Sequence, residues 1–191
     1  MRFWIVKFTK AKFMDSINKQ QQEVNYEDLR GLEAGRKIRE LAGKTKTCFF
    51  CTIIKERQPL TVRPMAVQKM DEEGNFWFLS ANDSHKNAQI NQDDHVQLLF
   101  QGSAHSDFLS VYGRASITKD KSLIRELWEP LFKTWFTEGV DDPRITVIKV
   151  DTIEGYYWDY KHGNAIALVK MAAGAISGKT LDDSIEGKLS V

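Results

Sequence analysis

The chain has 191 residues, which is enough for one domain with a buried core. Its 27 basic and 26 acidic residues leave a formal net charge of +1, so charge gives no indication of binding to nucleic acid or to an anionic membrane surface. No stretch approaches the roughly 18 apolar residues that a membrane-spanning helix needs. These quantities favour a soluble globular protein.

The first residues differ in character from the rest of the chain. Residues 1–13 carry basic but no acidic side chains and lack the sustained apolar stretch of a secretory signal. Residues 15–25 are polar and rich in Gln and Asn. We therefore predict a flexible N-terminal extension over residues 1–25 and a cytoplasmic location.

The two cysteines, Cys48 and Cys51, have the C-x-x-C spacing that some redox and metal sites use. They fall in a predicted strand, where residues three apart point to opposite faces. The sequence offers no second pair of cysteines to complete a zinc site. We interpret both as buried structural thiols in a reducing compartment.

Hydrophobic periodicity and turn residues predict the order of the elements. From residue 26 onward they are a helix over 26–42, strands over 45–55, 60–70 and 75–80, a helix over 84–92, strands over 95–101 and 108–118, a long amphipathic helix over 120–138, strands over 144–151 and 152–159, a helix over 164–177, and a polar C-terminal tail over 181–191.

Most of these strands are joined by hairpins, and strands do not alternate regularly with helices. A parallel doubly wound sheet is therefore disfavoured. The pattern predicts a mainly β fold with peripheral helices (α+β), in which six to seven antiparallel strands form a small barrel. We expect a single domain over residues 26–180.

Two tripeptides, Gly43-Lys44-Thr45 and Gly178-Lys179-Thr180, resemble the end of a nucleotide-binding P-loop. The loop also needs an earlier Gly, and Ile38 and Ala173 occupy that position here. We interpret both tripeptides as stops at helix ends.

One segment has the residues of a phosphate site. Arg63 precedes Pro64 and is therefore biased towards extended geometry, while Met65 shares its face and could lie against a planar ring. Ser84 can cap the following helix, whose N-terminus together with Lys86 and Arg63 would attract an anion. The alternative is that both cations are solvated and that Ser84 is only a cap.

Five short motifs, in this order and spacing, give the chain a resemblance to a known family. They are Arg63-Pro64-Met65, Phe78-Leu79-Ser80, Ser84-x-Lys86-Asn87, Tyr112-Gly113-Arg114-Ala115 and Tyr157-Trp158-Asp159. The chain resembles the pyridoxamine 5'-phosphate oxidase-like superfamily of FMN-binding split β-barrels, in particular its general stress protein 26-like branch, over residues 26–180.

The resemblance implies a homodimer with FMN at the subunit interface. By resemblance, Arg63, Ser84 and Lys86 hold the FMN phosphate, and Trp158 approaches the flavin from the partner subunit. The backbone of residues 63–65 (Arg63, Pro64, Met65) and 79–80 (Leu79, Ser80) lines the isoalloxazine ring and the ribityl chain. Apolar strands and the helix over 120–138 supply the interface. The alternative for Trp158 is an ordinary core or interface aromatic.

One departure limits the function that the resemblance implies. Pyridoxamine phosphate oxidases carry an Arg-x-His-Asp-Arg-type motif after the late Trp, and residues 159–165 contain none. Vitamin B6 oxidation is therefore not expected. The leading hypothesis is an FMN-dependent oxidoreductase related to stress. The alternatives are a non-catalytic module that binds flavin or another planar ligand such as haem and, disfavoured by the net charge, a nucleic-acid-binding barrel.

Overall fold

A computed structural model describes residues 24–54, 59–177 and 181–191, and these residues contain nine strands and four α-helices. The strands are β1 (Leu29–Arg30), β2 (Thr47–Thr52), β3 (Thr61–Ala66), β4 (Lys69–Met70), β5 (Phe76–Ala81), β6 (His95–Gln101), β7 (Phe108–Thr118), β8 (Ile145–Tyr160) and β9 (Ser184–Ser190). The helices are α1 (Leu32–Thr45), α2 (His85–Gln92), α3 (Lys121–Leu127) and α4 (Asn164–Ser177). None of these helices is long and apolar enough to cross a membrane.

The strands form one mixed sheet in the order β1-β9-β8-β7-β6-β2-β3, and β5 joins it by pairing with β8 and β4. Every named pair is antiparallel except β1 with β9. The prediction of a mainly β fold with peripheral helices is confirmed. The predicted count of six to seven strands is too low, because the predicted strand over 60–70 is divided into β3 and β4, and because β1 and β9 were not predicted as strands.

The chain between β3 and β4 connects two distant parts of the sheet. The Val67 N–H donates to the Lys46 carbonyl at 2.9 Å, which continues the β2–β3 ladder, and the Gln68 N–H donates to the Trp77 carbonyl at 2.8 Å, which begins the β4–β5 ladder. Beyond Trp77, no strand of the described residues pairs with this edge of β5, and none pairs with the outer edge of β3. The sheet is therefore open between β3 and β5.

Aromatic side chains fill the interior of this curved sheet. Phe50 on β2 meets Phe78 on β5 edge to face, with ring centroids 5.2 Å apart, and Phe76 stacks on Phe100 of β6 at 5.4 Å. All four side chains are buried. Because each points inward from a different region of the sheet, their contacts hold β5 opposite β2 across the interior, on either side of the opening.

β8 corrects the prediction of two strands over 144–151 and 152–159, because it runs without interruption. Its ladder with β7 contains a bulge: Gly113 pairs with Thr152 and Tyr112 pairs with Glu154, so Ile153 has no residue opposite it. A Cβ on Gly113 would lie 2.4 Å from the Asp151 carbonyl oxygen, so only glycine fits at this point. The bulge bends β8, whose first half pairs with β5 and whose second half pairs with β9.

The predicted helix over 120–138 is wrong. α3 ends at Leu127, and 3-10 helices follow at Pro130–Thr134 and Gly139–Asp141. Pro130 explains the difference, because proline has no N–H to donate and disfavours helical geometry in the residue before it. Leu123 and Leu127, whose spacing suggested a continuous helix, pack in a separate cluster with Trp128 and Phe136, whereas Leu131 is exposed.

The predicted polar tail over 181–191 is also wrong, because residues 184–190 form β9 between β8 and β1. Gly187 and Leu189 are buried and alternate with the exposed Lys188, as in a strand with one face turned to the core. The sheet thus extends past the predicted domain end at residue 180. Of the predicted extension over 1–25, all but Val24 and Asn25 lies outside the described residues. The Asn25 carbonyl accepts a hydrogen bond from the Glu186 N–H at 3.0 Å.

Candidate functional site

Arg63 lies on the interior face of β3, opposite buried Phe50 of β2. Its guanidinium donates to the Thr52 hydroxyl at 3.0 Å and to the side-chain carbonyl of Gln89 on α2 at 2.8 Å. The Thr52 hydroxyl itself donates to the same Gln89 oxygen at 2.6 Å. These partners are neutral, so they fix the orientation of the guanidinium without balancing its charge.

Lys86 lies in the first turn of α2 and is half-buried. Burial lowers its pKa, and the positive charge of Arg63 lowers it further, against the weaker opposing effect of Asp83. Burial also lowers the pKa of Arg63. Within residues 24–54, 59–177 and 181–191, neither cation forms a salt bridge with a carboxylate. The structure therefore brings together two predicted site residues whose charges are unbalanced, which favours binding of an anion.

Ser84 is the N-cap of α2, as the sequence predicts, and accepts a hydrogen bond from the Asn87 N–H at 3.3 Å. The Asn87 side-chain oxygen accepts from Ser80 at 2.7 Å and from Ser84 at 3.1 Å, and its amide donates to Thr146 on β8 at 2.9 Å. This network fixes α2 against β5 and β8. It places the N-terminus of α2, with its favourable field for anions, beside the Arg63 and Lys86 pair.

The backbone of β3 and β5 faces the opening between them. The Val67 N–H points towards β2, so the alternation of an antiparallel ladder turns the backbone groups of Pro64 to the open side. Proline at this position costs no ladder hydrogen bond. The same alternation, counted from Trp77, turns the backbone groups of Leu79 towards the opening and those of Ser80 towards β8. Met65 points inward and packs against the core.

Trp158 is not brought to Arg63 within one chain. It lies on β8, four strands from β3 in the sheet order, and its side chain points to the opposite face from Arg63. It is 44% exposed, with its ring 4.6 Å from that of Tyr156. Within this chain, the site predicted from the sequence is therefore divided into the Arg63 and Lys86 pair and a separate exposed tryptophan.

Sequence reasoning missed Gln89 and Thr52, which orient Arg63 from two different elements. A signal for Gln89 was present: it lies three residues after Lys86, and residues with this spacing share a helix face. Thr52 lies two residues after inward-facing Phe50 and so shares its face. The two cysteines are buried and free, as predicted, and burial raises the pKa of Cys48 to about 12.

Two surface cavities lie elsewhere in the described part of the chain. One, of about 460 Å³, is lined by residues of the α2 and β8 region that include Asn87 and Thr146. The other, of about 550 Å³, lies between α1 and the end of β8 and is lined by residues that include Lys37 and Asp159. Neither of these two cavities is lined by Arg63 or Lys86.

The fold is that of a split β-barrel, and its candidate anion site lies where the N-terminus of α2 approaches the unpaired edge of β3. Residues 33–182 match the family model described as pyridoxamine 5'-phosphate oxidase like. The chain belongs to this family, as the sequence motifs indicated.

The chain is also similar to individual proteins. Protein bli-3 of Neurospora crassa is 30% identical over 129 residues, which cover 63% of this chain and 62% of that protein. A crystal structure assigned to general stress protein 26 of Jannaschia sp. CCS1 superposes with a TM-score of 0.69 at 17% identity, covering 83% of this chain and 99% of that one. The general stress FMN/FAD binding protein of Xanthomonas citri gives a TM-score of 0.52 at 23% identity, covering 63% and 84%. The two structures share the split-barrel fold with this chain.

Proposed function

We propose that this chain is an FMN-binding protein that acts as a homodimer, with a flavin-dependent oxidoreductase activity related to stress. The observation that carries the proposal is the pair of Arg63 and Lys86. Two cations that repel one another, partly removed from water and held only by neutral groups, are unfavourable unless a ligand supplies negative charge. The family and the FMN/FAD binding protein of Xanthomonas citri support a flavin as that ligand.

The two charges favour FMN over other flavins. The terminal phosphate of FMN is a monoester that carries close to two negative charges at neutral pH, as other phosphate monoesters do. Arg63 can contact two of its oxygens with its planar fork, and Lys86 supplies a point charge from the helix N-terminus. Ser84 and the first turn of α2 add the favourable field of a helix N-terminus. Riboflavin, which has no phosphate, would use none of these contacts.

The opening between β3 and β5 is the proposed place for the isoalloxazine ring. Backbone groups of Pro64 and Leu79 face this opening and can hydrogen-bond to the polar edge of a flat ring. Met65 and Ser80 lie beside them on the interior side. The bound flavin would supply the electron-transfer chemistry, and these residues would bind and orient it.

The homodimer is supported by an exposed apolar surface. Phe49, Val62, Pro64 and Trp158 are exposed on one face of the sheet, and we call this set the outer sheet face. A second copy packed there would cover these side chains and could bring its Trp158 towards the opening beside β3. The free thiols of Cys48 and Cys51 support the proposed cytoplasmic location, because such thiols persist in reducing compartments.

Titration of the protein with FMN and with riboflavin, followed by flavin fluorescence, tests the cofactor proposal. Arg63→Ala and Lys86→Ala should each weaken FMN binding by about ten- to a hundredfold, because a charge-assisted hydrogen bond contributes roughly 1.5–3 kcal/mol. Riboflavin binding should change little in either variant. Arg125→Ala is the matched control, since this exposed arginine pairs with Asp141 at 3.3 Å. Wild-type protein that binds FMN no better than riboflavin would contradict the phosphate role of the pair.

Turnover separates the oxidoreductase from a non-catalytic flavin-binding module. Arg63 and the two neutral groups that orient it, Thr52 and Gln89, are not general acids or bases at neutral pH, so the proposal leaves the redox step to the flavin. Reduction of the bound flavin by NADH or NADPH and its reoxidation by an added acceptor should proceed over many cycles. Flavin that stays oxidised with both donors would favour the binding module.

A further inference from the structure

The hydrogen bonds around Asn87 determine the direction in which each neighbouring hydroxyl group donates. The Thr146 hydroxyl lies 3.0 Å from the Ser80 carbonyl oxygen, which can only accept, so Thr146 donates its one hydrogen there. Towards Asn87, at 2.9 Å, Thr146 can then only accept, and this requirement turns the amide nitrogen of Asn87 towards β8. The side-chain oxygen of Asn87 therefore faces Ser80 and Ser84. Because Ser80, Asn87 and Thr146 are buried, the network rather than solvent sets these directions.

Ser84 has one hydroxyl hydrogen, and in this structure that hydrogen belongs to the same network. The Ser84 oxygen accepts from the Asn87 N–H at 3.3 Å, and its hydroxyl donates to the Asn87 side-chain oxygen at 3.1 Å. A second acceptor, the Ser80 hydroxyl oxygen, lies 3.2 Å away within the network. The Ser84 hydroxyl therefore directs its hydrogen towards Asn87 and not towards an anion beside Arg63 and Lys86.

A phosphate oxygen can receive the Ser84 hydrogen only if the bond from Ser84 to Asn87 is broken. This bond, at 3.1 Å, is longer than the bond from Ser80 to the same oxygen, at 2.7 Å. The longer bond can be exchanged without leaving a buried acceptor unsatisfied, because Ser80 remains on the Asn87 oxygen. Binding of a phosphate at Ser84 thus replaces one neutral hydrogen bond by a charge-assisted one.

We propose that Asn87 and Thr146 are positioning residues for the phosphate site. They hold the Ser84 hydrogen inside the network, and this hydrogen turns to the phosphate when the ligand binds. The inference rests on the proposed binding of FMN and deepens it, since it assigns a role in phosphate affinity to two side chains that do not contact the ligand. The broken bond to Asn87 makes phosphate binding weaker than it would be with a freely rotating Ser84 hydroxyl.

Thr146→Val distinguishes this role from a merely structural one. Valine offers no acceptor to the Asn87 amide nitrogen, so the amide can turn this nitrogen towards Ser84. The Ser84 hydrogen is then available to the phosphate, and FMN should bind roughly three- to tenfold more tightly, the effect of one neutral hydrogen bond. The variant should also unfold at a lower urea concentration, because the Ser80 carbonyl loses its buried donor. A network that only supports α2 would instead bind FMN more weakly once disrupted.

Thr152→Val is the matched control, because it removes another hydroxyl from the same strand. The Thr152 hydroxyl donates to the Gly74 carbonyl at 2.6 Å, so this variant should lose stability and keep the wild-type affinity for FMN. Ser84→Ala removes the hydrogen itself, and the tightening caused by Thr146→Val should disappear when the two changes are combined. Riboflavin should bind equally to all of these variants. Flavin fluorescence titration measures the affinities, and urea denaturation measures the stabilities.

The outcomes separate the role of the network from the proposed FMN site. Equal affinities of the wild type for FMN and riboflavin would overturn the phosphate site and this inference with it. A preference for FMN that Thr146→Val does not increase, or increases equally in the Ser84→Ala background, would overturn the inference alone. If circular dichroism shows that Thr146→Val is unfolded, Ser80→Ala takes its place. The Asn87 oxygen then depends on Ser84 alone, so FMN should bind roughly three- to tenfold more weakly, and an unchanged affinity would overturn the inference.

Discussion

Two regions of this protein contain partly buried cations. In one region the cations pair with carboxylates, and in the other they do not. Near α1 and α4, two lysines each have a buried carboxylate as partner: Lys44 bonds to Asp107, and Lys170 bonds to Asp183. Burial opposes the charge of Lys44, but its hydrogen bond to Asp107 and nearby carboxylates raise its pKa. At the Arg63 and Lys86 pair, burial lowers both pKa values and no carboxylate pairs with either cation in the described residues.

The presence or absence of a carboxylate partner distinguishes cations that stabilise the fold from cations that are available to bind a ligand. Where a carboxylate lies beside a buried cation, the pair joins two elements and the charged form is favoured. Where only neutral groups hold the cation, its charge is left for a ligand, and the fold is less stable for it. The comparison therefore predicts that removing charge should destabilise the first region, and that adding an acid to the second should stabilise the protein and weaken its binding of FMN.

The largest effect is expected at Asp183, whose side chain is fully buried between Lys170 and His162. Asp183→Asn leaves the lysine without a charged partner and should lower the free energy of unfolding by about 3 kcal/mol, as for other broken buried ion pairs. Urea denaturation at pH 7 measures this change. Glu126→Gln is the control, because Glu126 forms an exposed pair with Lys69 and should cost less than about 1 kcal/mol.

The contribution of Asp183 also has a defined pH dependence. Burial would raise its pKa, but hydrogen bonds from Lys170 and His162 lower it from 3.8 to about 2. A carboxyl with a lowered pKa stabilises the fold above its unfolded-state pKa, and this stabilisation disappears as the pH falls from about 4 towards 2. The wild type should thus lose its advantage over Asp183→Asn across this range. A constant difference between the two proteins from pH 5 to pH 2 would contradict the ion pair as its cause.

A second, smaller effect is expected when Gln89 is changed to Glu, which gives Arg63 the acidic partner that it lacks. The carboxylate should bind the guanidinium that Gln89 now orients, and FMN affinity should fall by about thirtyfold, or roughly 2 kcal/mol. The flavin-free protein should become more stable, since the buried charge is now balanced. Flavin titration and urea denaturation measure the two changes.

Gln92→Glu provides the control for this substitution, because it adds the same charge to an exposed position of the same helix. It should alter FMN affinity only slightly, through screened long-range attraction. If Gln92→Glu weakens FMN binding as much as Gln89→Glu does, net charge rather than pairing with Arg63 controls affinity. That result would contradict the distinction between paired and unpaired cations.

The sequence predicted the cation pair but not the way in which it is held. Arg63 and Lys86 belong to short motifs with a recognisable order, so their proximity could be expected. Gln89 and Thr52 orient Arg63 through contacts between α2, β2 and β3, and such contacts depend on how separate elements pack. The paired region was not predicted at all, because Asp183 lies in a segment whose polar composition suggested a tail.

The errors in the fold have local physical causes. β9 alternates small and apolar inward residues with polar ones, and over seven residues this signal is weak beside its polar composition. In residues 120–138, Pro130 should have outweighed the heptad-like spacing of the leucines, because a proline effect is stronger than a periodicity. Hairpin-linked strands such as β6 and β7 were predicted correctly, since their pairing depends mainly on neighbouring sequence.

The smallest expected effect concerns the pH dependence of Lys86. Because its pKa is lowered, it loses its proton at a lower pH than an ordinary lysine, whose pKa is 10.5. FMN affinity should therefore fall by about tenfold, or 1.4 kcal/mol, as the pH rises from 7 to 10. Lys86→Arg should largely remove this fall, since arginine stays protonated throughout the range. Fluorescence titration at several pH values measures both proteins.

In the flavin-free protein, Lys86 and Asp183 change the free energy of unfolding with pH in the same direction, because folding lowers the pKa of both groups. Folding lowers the pKa of Lys86, so the unfolded chain binds this proton more tightly, and stability should rise as the pH increases through the lowered pKa. Lys86 thus favours binding at neutral pH and destabilises the fold under the same conditions. Equal slopes of FMN affinity against pH for the wild type and Lys86→Arg would show that this lysine does not supply the binding charge, and Arg63 alone would remain as the cation of the site.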